Sequence, residues 1–179
     1  CKNIKIIPTV VDIEKYDKVA TEKNEQFTIV WIGSQATVQY LLDVIEPISR
    51  ICNQVNGKLL VIGAIIDVPN IQLELVEWSQ DSEVEYLKSA HVGIMPLSDN
   101  KWNLGKCGFK IIQYMACGIP VIASPIGINT KIISDRRTGF LAHTADEWFN
   151  CLYLIFKGID KSITTAAYQN IVNNYSMEY

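Results

Sequence analysis

The sequence predicts a doubly wound α/β domain on a parallel sheet, and three features point to it. The runs Phe27-Thr28-Ile29-Val30-Trp31-Ile32 and Leu59-Leu60-Val61-Ile62 are almost continuously apolar, as strands covered on both faces must be. Between such runs lie longer stretches whose apolar residues recur at three- and four-residue spacing, the signature of amphipathic helices. The two patterns alternate along the chain, as strands joined by crossover helices require.

The elements run in order. A first strand is expected at residues 4–7, and then a polar stretch from Asp12 to Gln26 that reads as a connector from something upstream. The strand at 27–32 leads through Gly33-Ser34 into a helix over 37–56. There Val38, Leu41, Leu42, Ile45, Ile48, Ile51, Cys52 and Val55 make one apolar stripe. Strands at 58–62 and 71–76 precede a helix over 83–90, capped by Asp81 or Ser82 and acidic in its first turn, where the helix dipole favours it. After a strand at 92–95, a polar loop opens onto a helix over 108–117, stopped by Gly118 and Pro120. Strands at 120–123 and 139–142 and helices at 129–135, 145–157 and 162–175 complete a Rossmann-like pattern. Residues 1–26 divide off as connector and first strand, with 27–179 as the domain proper.

Composition narrows the function. The chain has 179 residues, 49% of them apolar, enough for one well-formed core. A net charge of −3 with no run of Lys or Arg argues against nucleic acid or an anionic membrane as the main partner. No apolar stretch approaches the roughly 18–20 residues that cross a bilayer, and the N-terminus does not read as a secretory leader. A start in mid-strand, without Met, suggests a fragment. Five scattered cysteines read as reduced thiols of a cytoplasmic protein. Cys107 and Cys117 lack a CxxC, and only His91 and His143 could assist them, so a structural role is preferred to zinc and no metal is expected.

In such folds ligands bind beyond the carboxyl ends of the strands, and two loops there draw notice. Gly33-Ser34-Gln35-Ala36-Thr37 could bring its backbone and a helix N-terminus close to a ligand, or be a plain strand–helix turn. The second loop holds Gly105-Lys106-Cys107-Gly108 and opens directly onto a helix, with Lys110 in its first turn. The dipole disfavours a cation there, so two lysines make electrostatic sense beside a bound anion; otherwise both are solvated surface charges. There is no GxGxxG, no GxxxxGK[ST], no GxSxG and no Asp-x-Asp. The acidic cluster Asp81-Ser82-Glu83-Val84-Glu85 suits a helix start. Trp31 reads as core, whereas Trp78 and Trp102 fall in polar loops where either could stack on a base or sugar.

The segment GFKIIQYMACGIPVIAS at 108–124 resembles the hallmark of the group 1 glycosyltransferases, family 4 in the usual sequence classification. In that hallmark a Gly-rich turn enters a helix ending Glu-x-Met-Ala-x-Gly-x-Pro-Val-Val-Ala-Ser/Thr. NIKIIPTVVD at 3–12 is similar to the interdomain connector of these enzymes, FTIVWIGS at 27–34 to the first strand of their C-terminal domain, and TGFLA at 138–142 to a late strand.

The resemblance implies the C-terminal half of a GT-B fold, two Rossmann-like domains facing a cleft, with the nucleoside-diphosphate sugar held by this half. It further implies transfer with retention of configuration and without a required metal or other cofactor. A saccharide or glycolipid acceptor would be bound by an N-terminal domain absent from this sequence. The context would be polysaccharide or glycolipid assembly in the bacterial cytoplasm, with the full-length protein able to lie against the inner face of the membrane. Carried over residue by residue, Gly108 and Phe109 offer backbone N–H groups to the diphosphate, Gln113 stands where a glutamate receives the ribose, and Gly33 and Ser34 approach the phosphates and the sugar. Gly105 replaces the family's other glutamate, and 34–43 lacks the usual basic residues, so Lys106 and Lys110 supply the charge on the leaving group. With Cys107 and Trp78, these residues make up the expected site. An isolated fragment would bind donor without turnover. A nucleotide-binding module without chemistry and a GT-B sugar-nucleotide epimerase are the competing readings.

Overall fold

The computed structural model describes residues 7–177. Six parallel strands form one sheet in the order β3-β2-β1-β4-β5-β6. They are β1 (Thr28–Ile32), β2 (Lys58–Ile62), β3 (Gln72–Val76), β4 (Val92–Met95), β5 (Val121–Ala123) and β6 (Phe140–Leu141). The order turns back between β1 and β4, so the crevice at their carboxyl ends is the switch point where such sheets bind ligands. The predicted strand at 4–7 falls almost wholly outside the described residues.

Alternation along β1 sends neighbouring residues into two cores. Val30 and Ile32 join Leu60, Ile111, Ile112 and Met115 on one face, and Ile29 and Trp31 join Leu59, Leu41, Ile48 and Trp148 on the other. Helices α2 (Val38–Leu42), α3 (Ile45–Val55) and α8 (Ala145–Lys157) cover the second face. The first face is covered by α1 (Ile13–Asp17), α4 (Glu83–Ser89), α6 (Phe109–Ala116), α7 (Asn129–Ile132) and α9 (Lys161–Asn174). The apolar runs read from the sequence are the strands buried on both faces, while edge strand β3 is only half covered.

Four elements depart from expectation. The single helix over 37–56 is two, broken at Asp43-Val44. Pro47 is the cause: it has no N–H for the carbonyl four residues back, and its ring would clash there. The break places Pro47 in the first turn of α3, where a missing donor costs nothing. The helix expected to Asp135 stops at Ile132, because Asp135 instead bridges Gly139 and its carboxylate accepts the Leu141 N–H at 2.9 Å. The polar stretches at 12–26 and 96–108 hold short helices, α1 capped by Asp12 and α5 (Lys101–Leu104) capped by Asn100. Their one or two turns carry too little periodicity to be read in advance.

Residues 11–26 pack onto the domain. Val11 and Tyr16 are buried in the α6 core, Val11 bridges Ser176, and the Tyr168 hydroxyl donates to Asp17 at 2.9 Å. The Lys23 ammonium caps α4 through the carbonyls of Lys88 and Ala90, at 2.9 and 2.5 Å, and its burial pushes its pKa down to about 8.

At the switch point the ladder between β1 and β4 ends after Val30↔Gly93. Beyond it the Tyr114 hydroxyl takes over: it accepts from the Ile32 N–H and donates to the Ile94 carbonyl, both at 3.2 Å. Gly93 makes room, since a Cβ there would lie 2.3 Å from the Tyr114 ring. Tyr114→Phe leaves a buried N–H and a buried C=O unpaired, and should lower unfolding free energy by about 1–3 kcal/mol. Gly93→Ala forces the ring aside and should cost a similar ~1–3 kcal/mol. Denaturant unfolding of both variants checks these losses, and a midpoint unchanged in either would refute its part.

Candidate functional site

A cavity of about 430 Å³ opens at the switch point. Ile32, Gly33 and Ser34 form its floor at the end of β1, and Phe109, Lys110 and Gln113 on α6 form one wall. Gly63, Trp78 and Glu83, from beyond β2 and β3, close the side opposite. A second cavity of about 680 Å³ adjoins toward β3 and shares Gly63 and Trp78.

Local folding rules place these groups. Gly108 caps α6 with φ +71, a conformation that favours glycine, and a Cβ there would meet Ile132 at 2.4 Å. It offers no capping side chain, and while the Ile111 and Ile112 N–H groups donate to the Gly108 carbonyl at 3.0 and 3.2 Å, those of Phe109 and Lys110 precede any partner inside the helix and remain available to a ligand. At Gly33 a Cβ would collide with the Trp31 ring at 2.4 Å and the Lys110 ammonium at 2.8 Å. The groups that need glycine's small size here are therefore the protein's own.

Lys110 is the electrostatic centre. Its ammonium sits 4.5 Å from the Trp31 ring centroid, a cation–π contact, and among the described residues no carboxylate pairs with it. Burial first, and then the charge of Lys106, push its pKa down to about 8. A cation near the positive end of a helix, partly stripped of water and without a counter-ion, suits an anion.

Gln113, 3% exposed, lies beside the buried Tyr16 hydroxyl, whose burial pushes its pKa well above the ordinary tyrosine range. Glu83, 6% exposed, accepts from Trp78 Nε1 at 2.9 Å and from Lys15 Nζ at 2.8 Å.

Six of the sequence-derived residues thus share one cavity: Gly33, Ser34, Trp78, Phe109, Lys110 and Gln113. Gly108 lies buried beneath it, whereas Gly105 and Cys107 are exposed outside the lining. The Lys106 ammonium rests 5.9 Å from the Tyr40 ring, on the flank toward α2. Trp102 is 77% exposed and lines no part of this cavity. Asn103 and Asn129, both fully buried, shape the loops beside the site through the carbonyls of Ser98 and Ser124, at 2.7 and 2.9 Å.

Sequence reasoning missed Gly63, Glu83, Lys15 and Tyr16. Gly63 carried a signal, since it follows its strand as Gly33 follows β1. Glu83 carried none that set it apart from Glu85, which stands exposed on the same helix. Elsewhere the imidazole of His91 serves the fold by accepting the Thr28 N–H at 3.1 Å. Among the described residues no three His, Cys, Asp or Glu side chains converge as a metal site would need, and no helix is long and apolar enough to cross a membrane.

Comparison with known proteins finds relatives of the sequence and of the fold. N-acetyl-alpha-D-glucosaminyl L-malate synthase of Bacillus anthracis is 27% identical over 128 residues, which cover 66% of this chain and 32% of that protein. The crystal structure of Anabaena HepE in complex with UDP and glucose has a TM-score of 0.76 at 13% identity, over 96% of this chain and 53% of that one. The C-terminal domain of a glycosyl transferase group 1 family protein (LpcC) of Francisella tularensis gives 0.60 at 13% identity, over 96% of both chains. The chain therefore spans about a third of the curated relative and about half of HepE. The sequence profile of one family, described as Glycosyl transferases group 1, matches residues 26–155, well over half of the chain. The switch-point crevice and its glycine-entered helix thus stand in a chain that belongs to the group 1 glycosyl transferases.

Proposed function

We propose that this chain is the donor-binding half of a retaining glycosyltransferase, which holds a nucleoside-diphosphate sugar and stabilises the diphosphate as it departs. The observation that carries this reading is the partly desolvated, unpaired Lys110 ammonium beside the uncapped start of α6. The complexes of HepE with UDP-glucose, and with UDP and glucose, support the ligand class. In this reading the α6 amides and Lys110 receive the diphosphate, with Lys106 adding charge from the flank. Gln113 bonds the ribose, Trp78 stacks on the base, and Gly33 and Ser34 border the sugar.

The chemistry is dictated by charge. As the anomeric C–O bond breaks, its electron pair passes to the β-phosphate oxygen, where Lys110 and the helix amides lower the cost of the new charge. The acceptor hydroxyl oxygen then bonds to the anomeric carbon on the face the diphosphate left. Its proton goes to a phosphate oxygen or to a base of the acceptor-binding half. That half, which binds the saccharide or glycolipid, lies in the rest of the enzyme, and this chain alone binds donor without turnover.

Calorimetric titration of the chain with UDP, GDP, ADP and their glucose conjugates tests the reading, and absence of binding by all of them at millimolar concentration would overturn it. Lys110 sets the pH dependence. Bound diphosphate raises its pKa, so affinity for a nucleoside-diphosphate sugar, whose phosphates do not titrate near neutrality, should be level just below about 8, the free-state value, and fall above it by up to ~tenfold per unit. Lys110→Met should abolish that slope and weaken binding at pH 7 by about 1.5–3 kcal/mol, the scale of a hydrogen bond to a charged group.

The unliganded chain should respond the other way. The native Lys110 pKa lies below the ordinary 10.5, so the charge destabilises the fold below about 8, a penalty relieved as pH rises toward 10.5. Lys110→Met should therefore raise stability at pH 7 by ~1–2 kcal/mol, less than the full shift because solvent screens part of it, with no gain near pH 10.5. Thermal unfolding at both pH values checks the sign. Gln113→Ala should weaken binding by about 1–2 kcal/mol and erase any preference for UDP over its 2′-deoxy analogue. A preference that survives the substitution would place the ribose elsewhere.

A further inference from the structure

Two neighbours on α1 reach side chains that line the 430 Å³ cavity. Tyr16 is buried against Gln113, and Lys15 donates to Glu83 Oε1 at 2.8 Å. Glu83 passes the connection on, because its other oxygen accepts from Trp78 Nε1 at 2.9 Å. A glutamate that served only the α4 dipole would stand in water, as Glu85 does. Glu83 is instead 6% exposed with both oxygens engaged, and Lys15 supplies the counter-charge that a buried carboxylate requires.

The effect falls on Trp78. With its N–H directed to Glu83, the indole is tied at that edge while 52% of the residue stays exposed. It borders the 430 Å³ cavity, the 680 Å³ cavity and a third of about 300 Å³ that Val10, Asp12 and Lys15 also line. An exposed aromatic surface held by a buried bond is pre-organised for stacking, since little rotamer freedom remains to be lost on binding.

We infer that Glu83 and Lys15 are positioning residues for the nucleoside end of the donor: they hold Trp78 as the platform on which the base stacks, and so make α1 part of the donor site. This rests on the donor reading above. Base recognition then depends on a helix that precedes the sheet, whereas diphosphate recognition at α6 does not.

The test separates the two ends of the ligand. Wild type, Trp78→Phe, Glu83→Leu, Glu83→Gln, Lys15→Met and the double variant Glu83→Leu/Trp78→Phe are titrated with UDP, GDP and ADP, and with inorganic pyrophosphate. Glu83→Leu and Trp78→Phe should each weaken the preferred nucleotide about threefold to tenfold while leaving pyrophosphate affinity unchanged. The double variant should be no weaker than the worse single one, because both changes release the same ring. Glu83→Gln, which keeps an acceptor for the indole, should lose less than Glu83→Leu, and Lys15→Met should lose nucleotide affinity selectively. Equal losses for nucleotide and pyrophosphate, or additive losses in the double variant, overturn the inference. If Glu83→Leu fails to fold, unchanged nucleotide-to-pyrophosphate ratios in both Glu83→Gln and Lys15→Met overturn it. Wild type that binds pyrophosphate but no nucleotide removes the platform and leaves the anion site standing. Wild type that binds neither removes the donor reading and this inference with it.

Discussion

The site depends on one hydroxyl. Tyr114 inserts between the Ile32 N–H and the Ile94 carbonyl where the β1–β4 ladder would otherwise continue. Two strands that part at a switch point leave buried main-chain groups without partners, and each such group is costly to strand away from water. The inserted hydroxyl lets the strands separate without that cost. Because Tyr114 stands on α6, the same residue fixes the helix against the mouth it opens, with the Gly108 turn at one end and Gln113 beside it. The widening of the crevice and the placement of the α6 N-terminus at its mouth are thus one packing event.

Lys110 shows how such a frame stores electrostatic energy. Its ammonium lies beside the Gly33 backbone and over Trp31, and burial and Lys106 both disfavour its charge. In the proposed reaction it is a charge held in advance of the negative charge on the leaving group, so it needs no reorganisation at that moment.

Much of this was legible in the sequence. The double-sided burial of β1 and β2 was written in their apolar runs, and the entry to α6 in Gly105-Lys106-Cys107-Gly108 and the apolar helix after it. The break at Asp43 was also written, in Pro47, but the apolar stripe runs unbroken through it and the periodicity outweighed the proline. The Glu83 connection was not legible, because it joins residues 68 apart through Lys15 and its meaning lies in burial. Nor was Tyr114 at the switch point, where spacing identifies a core position but cannot show which backbone groups lack partners.

The short helix that carries Lys15 and Tyr16 has a further consequence, for folding order. Val11 bonds Tyr175 and Met177 through its backbone, at 2.8 and 3.0 Å, and Asp17 bonds Tyr168 across 151 residues. Such contacts close nearly the whole chain into a loop, so the entropy lost on forming them is among the largest in the domain unless the intervening sheet is already in place. The same entropy argument puts docking of α1 after formation of the sheet. In that order the strands and α6 are complete before the wall that α1 supports, and the pocket's floor is assembled ahead of its edge.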